Sequence, residues 1–331
     1  RGIEMGDPSS EPLILLHGIG GHGETYARNI PNLAKHFHVY AMDMLYHGYS
    51  QKEPFDGDNI VDGYVDSLVE FIKGQGLKRP HIEGESLGSI VAFFLGMNYP
   101  DVPGKLILNT GAPVKWKNLK SFMDDPNGMK ALGERSLESV NNVSLESVRK
   151  RLEWLMPRGG VTEELIDVRY NLWTGEATRN ALTEYYNRLF TPMTDALLFG
   201  EDDLAKITLP TLVLWTDSNP SQKIDTAERL QYLIKGSEMH IMKNAGHWPQ
   251  WEHAEEHDEV AAVVRVIVRD NGPGISETDR EKLFMPYFST KRRGSGLGLA
   301  IVRRIVAEHG GSIEVGDNAP TGTAVTIELP C

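Results

Sequence analysis

A single cysteine in 331 residues, Cys331 at the end of the chain, excludes an intrachain disulfide and predicts no thiolate metal site. Positive charge is also scarce: 34 Lys and Arg against 46 Asp and Glu leave a net −12. A chain of that sign has no field to offer nucleic acid or an anionic membrane, so neither is expected as a partner. No apolar run approaches the roughly 18–20 residues that cross a bilayer. The start, "RGIEMGDPSSEPLILLHG", lacks the charged-then-apolar order of a signal peptide, and a cytoplasmic setting is the default expectation. It also lacks an initial methionine and reads as the end of a hairpin, so further residues are expected upstream. Internal repeats and low-complexity tracts are missing as well.

What is present is enough chain for one large or two ordinary domains with a proper core. Up to about residue 258, strand-like runs such as "PLILLHG", "FHVYAMDM", "KLILNTGA" and "LPTLVLWTD" alternate with helical patterns. That alternation predicts a doubly wound, mostly parallel α/β sheet whose strands are covered on both faces. Between about Trp116 and Phe199 charged amphipathic segments replace the strands. They read as a helical insertion, placed where a lid over an active site would sit. The expected division is 1–115 and 200–258 for the core, 116–199 for the lid, and 259–331 for a different C-terminal piece.

Chemistry enters at Gly84-Glu85-Ser86-Leu87-Gly88. Glycines on both flanks permit a sharp strand-to-helix turn that lifts a serine hydroxyl above the sheet edge. The context supports that use: the pentapeptide follows an apolar strand and precedes the helical "SIVAFFLGMNY". "LLHGIGGHGETY" supplies a strand and a glycine-rich turn whose amides suit half of an oxyanion hole. "MKNAGHWPQWE" supplies His247 where a general base for Ser86 is expected. His17 and His47 read as structural histidines, and Trp248 and Trp251 read equally as core beneath the lid or as site residues.

From about Leu13 to Glu256 the sequence resembles the α/β-hydrolases, and more narrowly the hydrolases of meta-cleavage products. Those enzymes cut a carbon–carbon bond in a vinylogous 1,5-diketone. The resemblance rests on "LLHG", "GESLG", the lid helices and "GHWPQWE". It implies an α/β-hydrolase fold with a helical lid, Ser86 as nucleophile and His247 as base. It further implies an oxyanion hole from the amides of Ile19 and Leu87, and a small carbonyl substrate held by Arg169 and Trp248. No cofactor and no metal are implied for that hydrolysis; the oligomeric state is left open.

Two departures from the family bear on the substrate and on the third catalytic member. Glu85 stands where the family usually has asparagine, and a carboxylate there would repel an acidic substrate, which favours a simple ester. In Trp215-Thr216-Asp217-Ser218-Asn219-Pro220 an asparagine occupies the position of the family's aspartate. Asp217, from a shifted loop, is the expected acid; Asp225, another carboxylate, or a bare Ser–His pair are the alternatives.

From Val263 the vocabulary changes. "VVRVIVRDNGPGI", "FMPYFSTK" and "GSGLGLAI" closely resemble the C-terminal half of the ATP-binding domain of sensor histidine kinases, a partial α/β sandwich. By that match Asp270 would bond an adenine amino group, Gly272 and Gly274 would let backbone approach the base, and amides around Gly296 and Gly298 would approach the phosphates of ATP. The family's magnesium-holding asparagine helix and its phospho-acceptor histidine helix have no counterpart upstream. The seam between the two vocabularies lies near Asp258 to Ala262, and the helix-compatible "EHDEVAAVVRVI" offers a helix that would sacrifice the kinase-like strand. Two rival readings follow: an ATP-binding module with the hydrolase as passenger, and a hydrolase-like scaffold without catalysis.

Overall fold

The structure is a computed structural model that describes residues 1–112, 114–117, 126–189, 198–290 and 296–330. Cys331, and the stretch of the kinase-like motifs from Lys291 to Ser295, lie outside the described residues. The chain divides into two compact units, Arg1–Asp258 and Glu259–Cys331.

The strands of the first unit are β1 (Gly2–Met5), β2 (Pro12–Leu16), β3 (His38–Met42), β4 (His81–Glu85), β5 (Leu106–Asn109), β6 (Val114–Lys115), β7 (Phe199–Gly200), β8 (Thr211–Thr216) and β9 (Glu238–Met242). Its helices are α1 (Ile30–Leu33), α2 (Ile60–Gly74), α3 (Leu87–Asn98), α4 (Pro126–Asn141), α5 (Leu145–Leu155), α6 (Glu163–Trp173), α7 (Glu176–Leu189), α8 (Ile224–Leu233), α9 (Pro249–Glu252) and α10 (Ala254–Ala261). Seven strands form one sheet in the order β1-β3-β2-β4-β5-β8-β9, parallel except for β1, which runs antiparallel to β3.

The aliphatic runs are the reason for this order. Leu13, Ile14, Leu15 and Leu16 are all buried, so β2 is covered on both faces as a central parallel strand must be. In α2, Ile60, Tyr64, Val65, Leu68, Val69 and Ile72 fall at helical spacing and are buried, which lays one stripe of the helix on the sheet. The four helices α4 to α7 lie between β6 and β7, which pair in parallel, Val114 opposite Phe199. The ends of the helical excursion therefore meet, and the sheet resumes at β8 as though uninterrupted. A separate apolar cluster joins Val148, Leu152, Ile166, Leu172, Tyr186, Trp248 and Trp251.

The second unit holds β10 (Val263–Arg269), α11 (Glu277–Arg280), α12 (Gly298–Glu308), β11 (Ser312–Asp317) and β12 (Thr323–Pro330). Its sheet is antiparallel, in the order β10-β12-β11, with Val263 opposite Pro330 and Ser312 opposite Glu328. At the seam the helix α10 stops at Ala261 and the strand β10 starts at Val263. The valine-rich, β-branched run prefers the pleated conformation. The kinase-like strand is therefore kept rather than absorbed into a longer helix. Among the described residues no helix is long and apolar enough to cross a membrane.

Candidate active site

The site is built around the turn from β4 to α3. Ser86 takes φ 52° and ψ −107°, a backbone region that a residue with a side chain rarely adopts and that costs energy to hold. Its neighbours explain how the turn is held. A Cβ on Gly84 would stand 2.1 Å from the Gly88 carbonyl, and one on Gly88 would stand 2.3 Å from the Leu16 oxygen. Only glycine lets α3 press this closely on β2 and β4. The Ser86 amide donates to the Asn109 carbonyl at 3.0 Å, which pins the turn to β5.

His247 lies in the loop between β9 and α9. Its amide donates to the Leu155 carbonyl at 2.7 Å, and its carbonyl accepts from the Thr110 hydroxyl at 2.9 Å. The loop is thus clamped to both lid and sheet. The ring is nearly enclosed: Nδ1 lies 3.0 Å from Asn219 Oδ1, and Nε2 lies 3.4 Å from Glu85 Oε1. Burial, helped by the charge of Arg151, pulls the imidazole down to about 3, so it is neutral at physiological pH.

Asp217, the acid expected from the sequence, does not face His247. It is exposed, its amide donates to the Met242 carbonyl at 3.1 Å, and its carboxylate accepts from the Ser218 hydroxyl at 3.0 Å. The chain turns sharply after β8, so residues two apart point to different places. Asn219 is buried in the position beside the ring, where its Oδ1 also accepts from the Ser221 amide (3.1 Å) and hydroxyl (2.9 Å). Asp225 is excluded in the same way: its carboxylate accepts from the Thr226 amide at 2.8 Å, at the start of α8.

Ile19 sits in the turn after β2, which is closed by the Gly21 amide donating to the Gly18 carbonyl at 3.0 Å. Leu87 is the first residue of α3, where an amide has no partner within its own helix. The lid reaches this turn through Trp173, whose indole donates to the Gly20 carbonyl at 3.1 Å. From the same helix, α6, Arg169 is 1 % exposed, and its guanidinium lies 5.3 Å from the Trp173 ring and 4.8 Å from that of Trp248. Its Nε and Nη2 have no hydrogen-bond partner among the described residues. Burial pulls the guanidinium down only to about 10, so the cation persists. Trp248 is both a wall of the lid cluster and a face for that cation. His17 bonds the Gly18 carbonyl at 2.7 Å and accepts from the Met44 amide at 3.1 Å, a structural brace.

The sequence reading missed a second buried polar cluster. Glu83 and Glu85 alternate along β4 on one face, and neither is exposed. Glu83 Oε1 lies 2.7 Å from His257 Nε2, and His257 Nδ1 lies 3.0 Å from Asp258 Oδ1, which accepts from Asn29 at 2.8 Å. Asn109 donates to Glu83 at 3.1 Å and to Gln250 at 3.3 Å. The signal available in sequence was the two-residue spacing of His81, Glu83 and Glu85 within a strand. Among the described residues no group of three or more His, Cys, Asp or Glu could hold a metal.

In the second unit, Asp270 Oδ1 accepts from the amides of Gly272 (2.8 Å) and Thr323 (3.1 Å), tying the glycine turn to β12. Gly274 has φ 79° and Gly296 φ 67°, and a Cβ on Gly296 would stand 2.4 Å from the Tyr287 carbonyl carbon. Gly298 opens α12 and faces open space. Within this unit these residues shape two glycine turns and tie the first of them to β12. Among the described residues of this unit, the helices α11 and α12 carry no asparagine.

A doubly wound sheet with a strained serine elbow between β4 and α3 and a helical insertion ahead of β8 defines an α/β-fold hydrolase. The chain belongs to the alpha/beta hydrolase fold family, which matches residues 11–254. Residues 242–331 match the histidine kinase-, DNA gyrase B- and HSP90-like ATPases. The chain is similar to a 2-hydroxy-6-oxononadienedioate/2-hydroxy-6-oxononatrienedioate hydrolase of Paraburkholderia xenovorans, at 29 % identity over 75 % of this chain and 84 % of that protein. A hydrolase of the same description from Pseudomonas sp. is 24 % identical over 76 % of this chain and 86 % of that protein. Among solved structures, the 2-hydroxy-6-oxo-6-phenylhexa-2,4-dienoate hydrolase of Rhodococcus sp. shares the fold, with TM-score 0.69 and 21 % identity over 78 % of this chain and 92 % of that one.

Proposed function

We propose that the first unit is a serine hydrolase that cleaves the carbon–carbon bond of a meta-cleavage-type diketone bearing a carboxylate. Ser86 Oγ attacks the carbonyl carbon and gives its proton to His247 Nε2. The amides of Ile19 and Leu87 receive the oxyanion. With the substrate in its keto form, the departing carbon leaves as a stabilised carbanion and takes the proton back from His247. Water, deprotonated by the same imidazole, then releases the acyl group. None of these steps calls for a cofactor.

The observation that carries the substrate class is Arg169: a buried cation with two unpaired nitrogens beside the site is costly unless an anion meets it. The similar hydrolases act on dienedioates by their descriptions, which agrees with an anionic substrate. A second reading, a carboxylic ester hydrolase, is favoured by the buried carboxyl of Glu85 in the same site. Turnover of a 2-hydroxy-6-oxodienoate and of a neutral p-nitrophenyl ester, each measured with and without Ser86→Ala, separates the two. Dienoate turnover that is lost in the variant supports carbon–carbon cleavage, and ester turnover alone would replace it with the second reading. Turnover of both substrates unchanged in Ser86→Ala would remove Ser86 as nucleophile. The tail's nucleotide-like motifs enter none of these steps.

A further inference from the structure

We propose that Glu85 is the charge partner of His247: from the Nε2 side of the ring its carboxylate supplies the negative charge that neutral Asn219 lacks on the Nδ1 side. This rests on the reading of Ser86 and His247 as nucleophile and base.

The orientation of the ring follows from hydrogen bonding. The Ser221 amide can only donate, and it lies 3.1 Å from the Asn219 atom that also faces His247, so that atom is the amide oxygen. His247 Nδ1, 3.0 Å away, therefore carries the proton, and the lone pair is on Nε2. The side-chain atom seen on the Nε2 side is Glu85 Oε1, at 3.4 Å. Asparagine thus sets the tautomer and contributes no charge. When Nε2 takes the proton of Ser86, an imidazolium forms in a buried place that already feels the cation Arg151. Without a carboxylate that ion is expensive, because a buried charge that meets no counter-charge is costly.

Glu85 is suited to offset it. Its side chain is fully buried, its carboxyl rests against Gly18, and neither oxygen has a hydrogen-bond partner among the described residues. The groups that face it are the Gly18 amide after β2, Arg169 from α6, Arg151 from α5, Glu83 on its own strand, the buried Tyr26 and His247 itself. Burial outweighs the amide and the two arginines and, with Glu83, holds the acid up to about 8. The protonated acid donates to Nε2 and competes with Ser86 for the lone pair. The ionised form leaves Nε2 free to take the Ser86 proton, and the carboxylate then faces the new N–H. That proton passes on to the leaving group, so Glu85 neither gains nor loses one in the cycle.

The experiment uses the full chain and the rate of fluorophosphonate adduct formation on Ser86 from about pH 6 to 10. The unaltered protein should label faster as pH rises, with a midpoint near 8. Glu85→Gln should label about 100-fold more slowly at high pH and lose that midpoint. Adding Asn219→Asp to Glu85→Gln should bring the rate back to within about tenfold, because the charge returns on the Nδ1 side. Equal or faster labelling in Glu85→Gln, with the pH profile unchanged, overturns the proposal and leaves Ser86 and His247 in place. Absence of any Ser86 adduct in the folded, unaltered protein overturns the parent reading and this one together. Should Glu85→Gln fail to fold, Glu85→Asp keeps the charge, and loss of its pH-dependent arm has the same overturning weight.

Discussion

Asn219 Oδ1 stands 3.0 Å from His247 Nδ1, in the place where a serine hydrolase ordinarily puts a carboxylate. An amide there can accept the Nδ1 proton and fix the ring, but it carries no charge. Asn219→Ala removes the acceptor and lets the ring adopt either tautomer. Labelling of Ser86 by a fluorophosphonate should slow about tenfold or more, whereas Asp217→Asn should leave it within about twofold. A large loss in Asp217→Asn would return the acid role to that residue.

Arg169 is stacked between two indoles with two nitrogens unpaired. A hydrogen bond to a charged group is worth roughly 1.5–3 kcal/mol, or about 10–100-fold in affinity. Arg169→Met should therefore raise KM by that factor for a substrate bearing a carboxylate. KM for a neutral ester should change by no more than about threefold. Equal effects on both substrates would make Arg169 a packing residue of the lid.

His257 ties the closing helix to the centre of the sheet. Burial alone would strip its proton, but the charge of Glu83 and the hydrogen bonds the ring donates to Asp258 and Glu83 outweigh burial and push it up to about 9. The folded value lies above the unfolded one of about 6.5, so the folded state binds more protons between them. The contribution to stability is complete below about pH 6.5 and is lost as pH rises through about 9. Denaturant midpoints should fall across that window. His257→Ala, which strands buried Glu83, should cost about 3–5 kcal/mol and flatten the fall. A midpoint that stays level from pH 6.5 to 9 in the unaltered protein would contradict the pairing.

Asp270 of the kinase-like unit is engaged within that unit, by the amides of Gly272 and Thr323. Calorimetry with millimolar ATP and magnesium should show no saturable binding, and Asp270→Asn should change nothing. Saturable binding lost in that variant would revive the nucleotide-binding reading.

Much of this was legible in the chain itself. Gly84, Ser86 and Gly88 are close neighbours in sequence, and the elbow they make depends on local backbone freedom. The same holds for the buried runs of β2 and β8, and for the change of vocabulary near Asp258, where helix gives way to strand between Ala261 and Val263. The identity of the acid was not legible. Asp217 and Asn219 lie two residues apart in one turn, and no sequence pattern states which side chain the turn aims at the ring. Glu85 read as an odd charge next to the nucleophile, and Glu83 as part of an ordinary strand.

The sequence by itself determined the strand and helix order, the serine elbow and the seam, because each rests on contacts between residues near one another in the chain. Only the tertiary structure decided what surrounds His247, Asn219 on one nitrogen and Glu85 on the other, and what the lid sets against the neighbouring Trp248, the buried Arg169. Those side chains come from segments far apart in sequence. Their meeting depends on how β4, β8, the β9–α9 loop and α6 pack, and in a buried site a difference of one residue changes which group meets the charge.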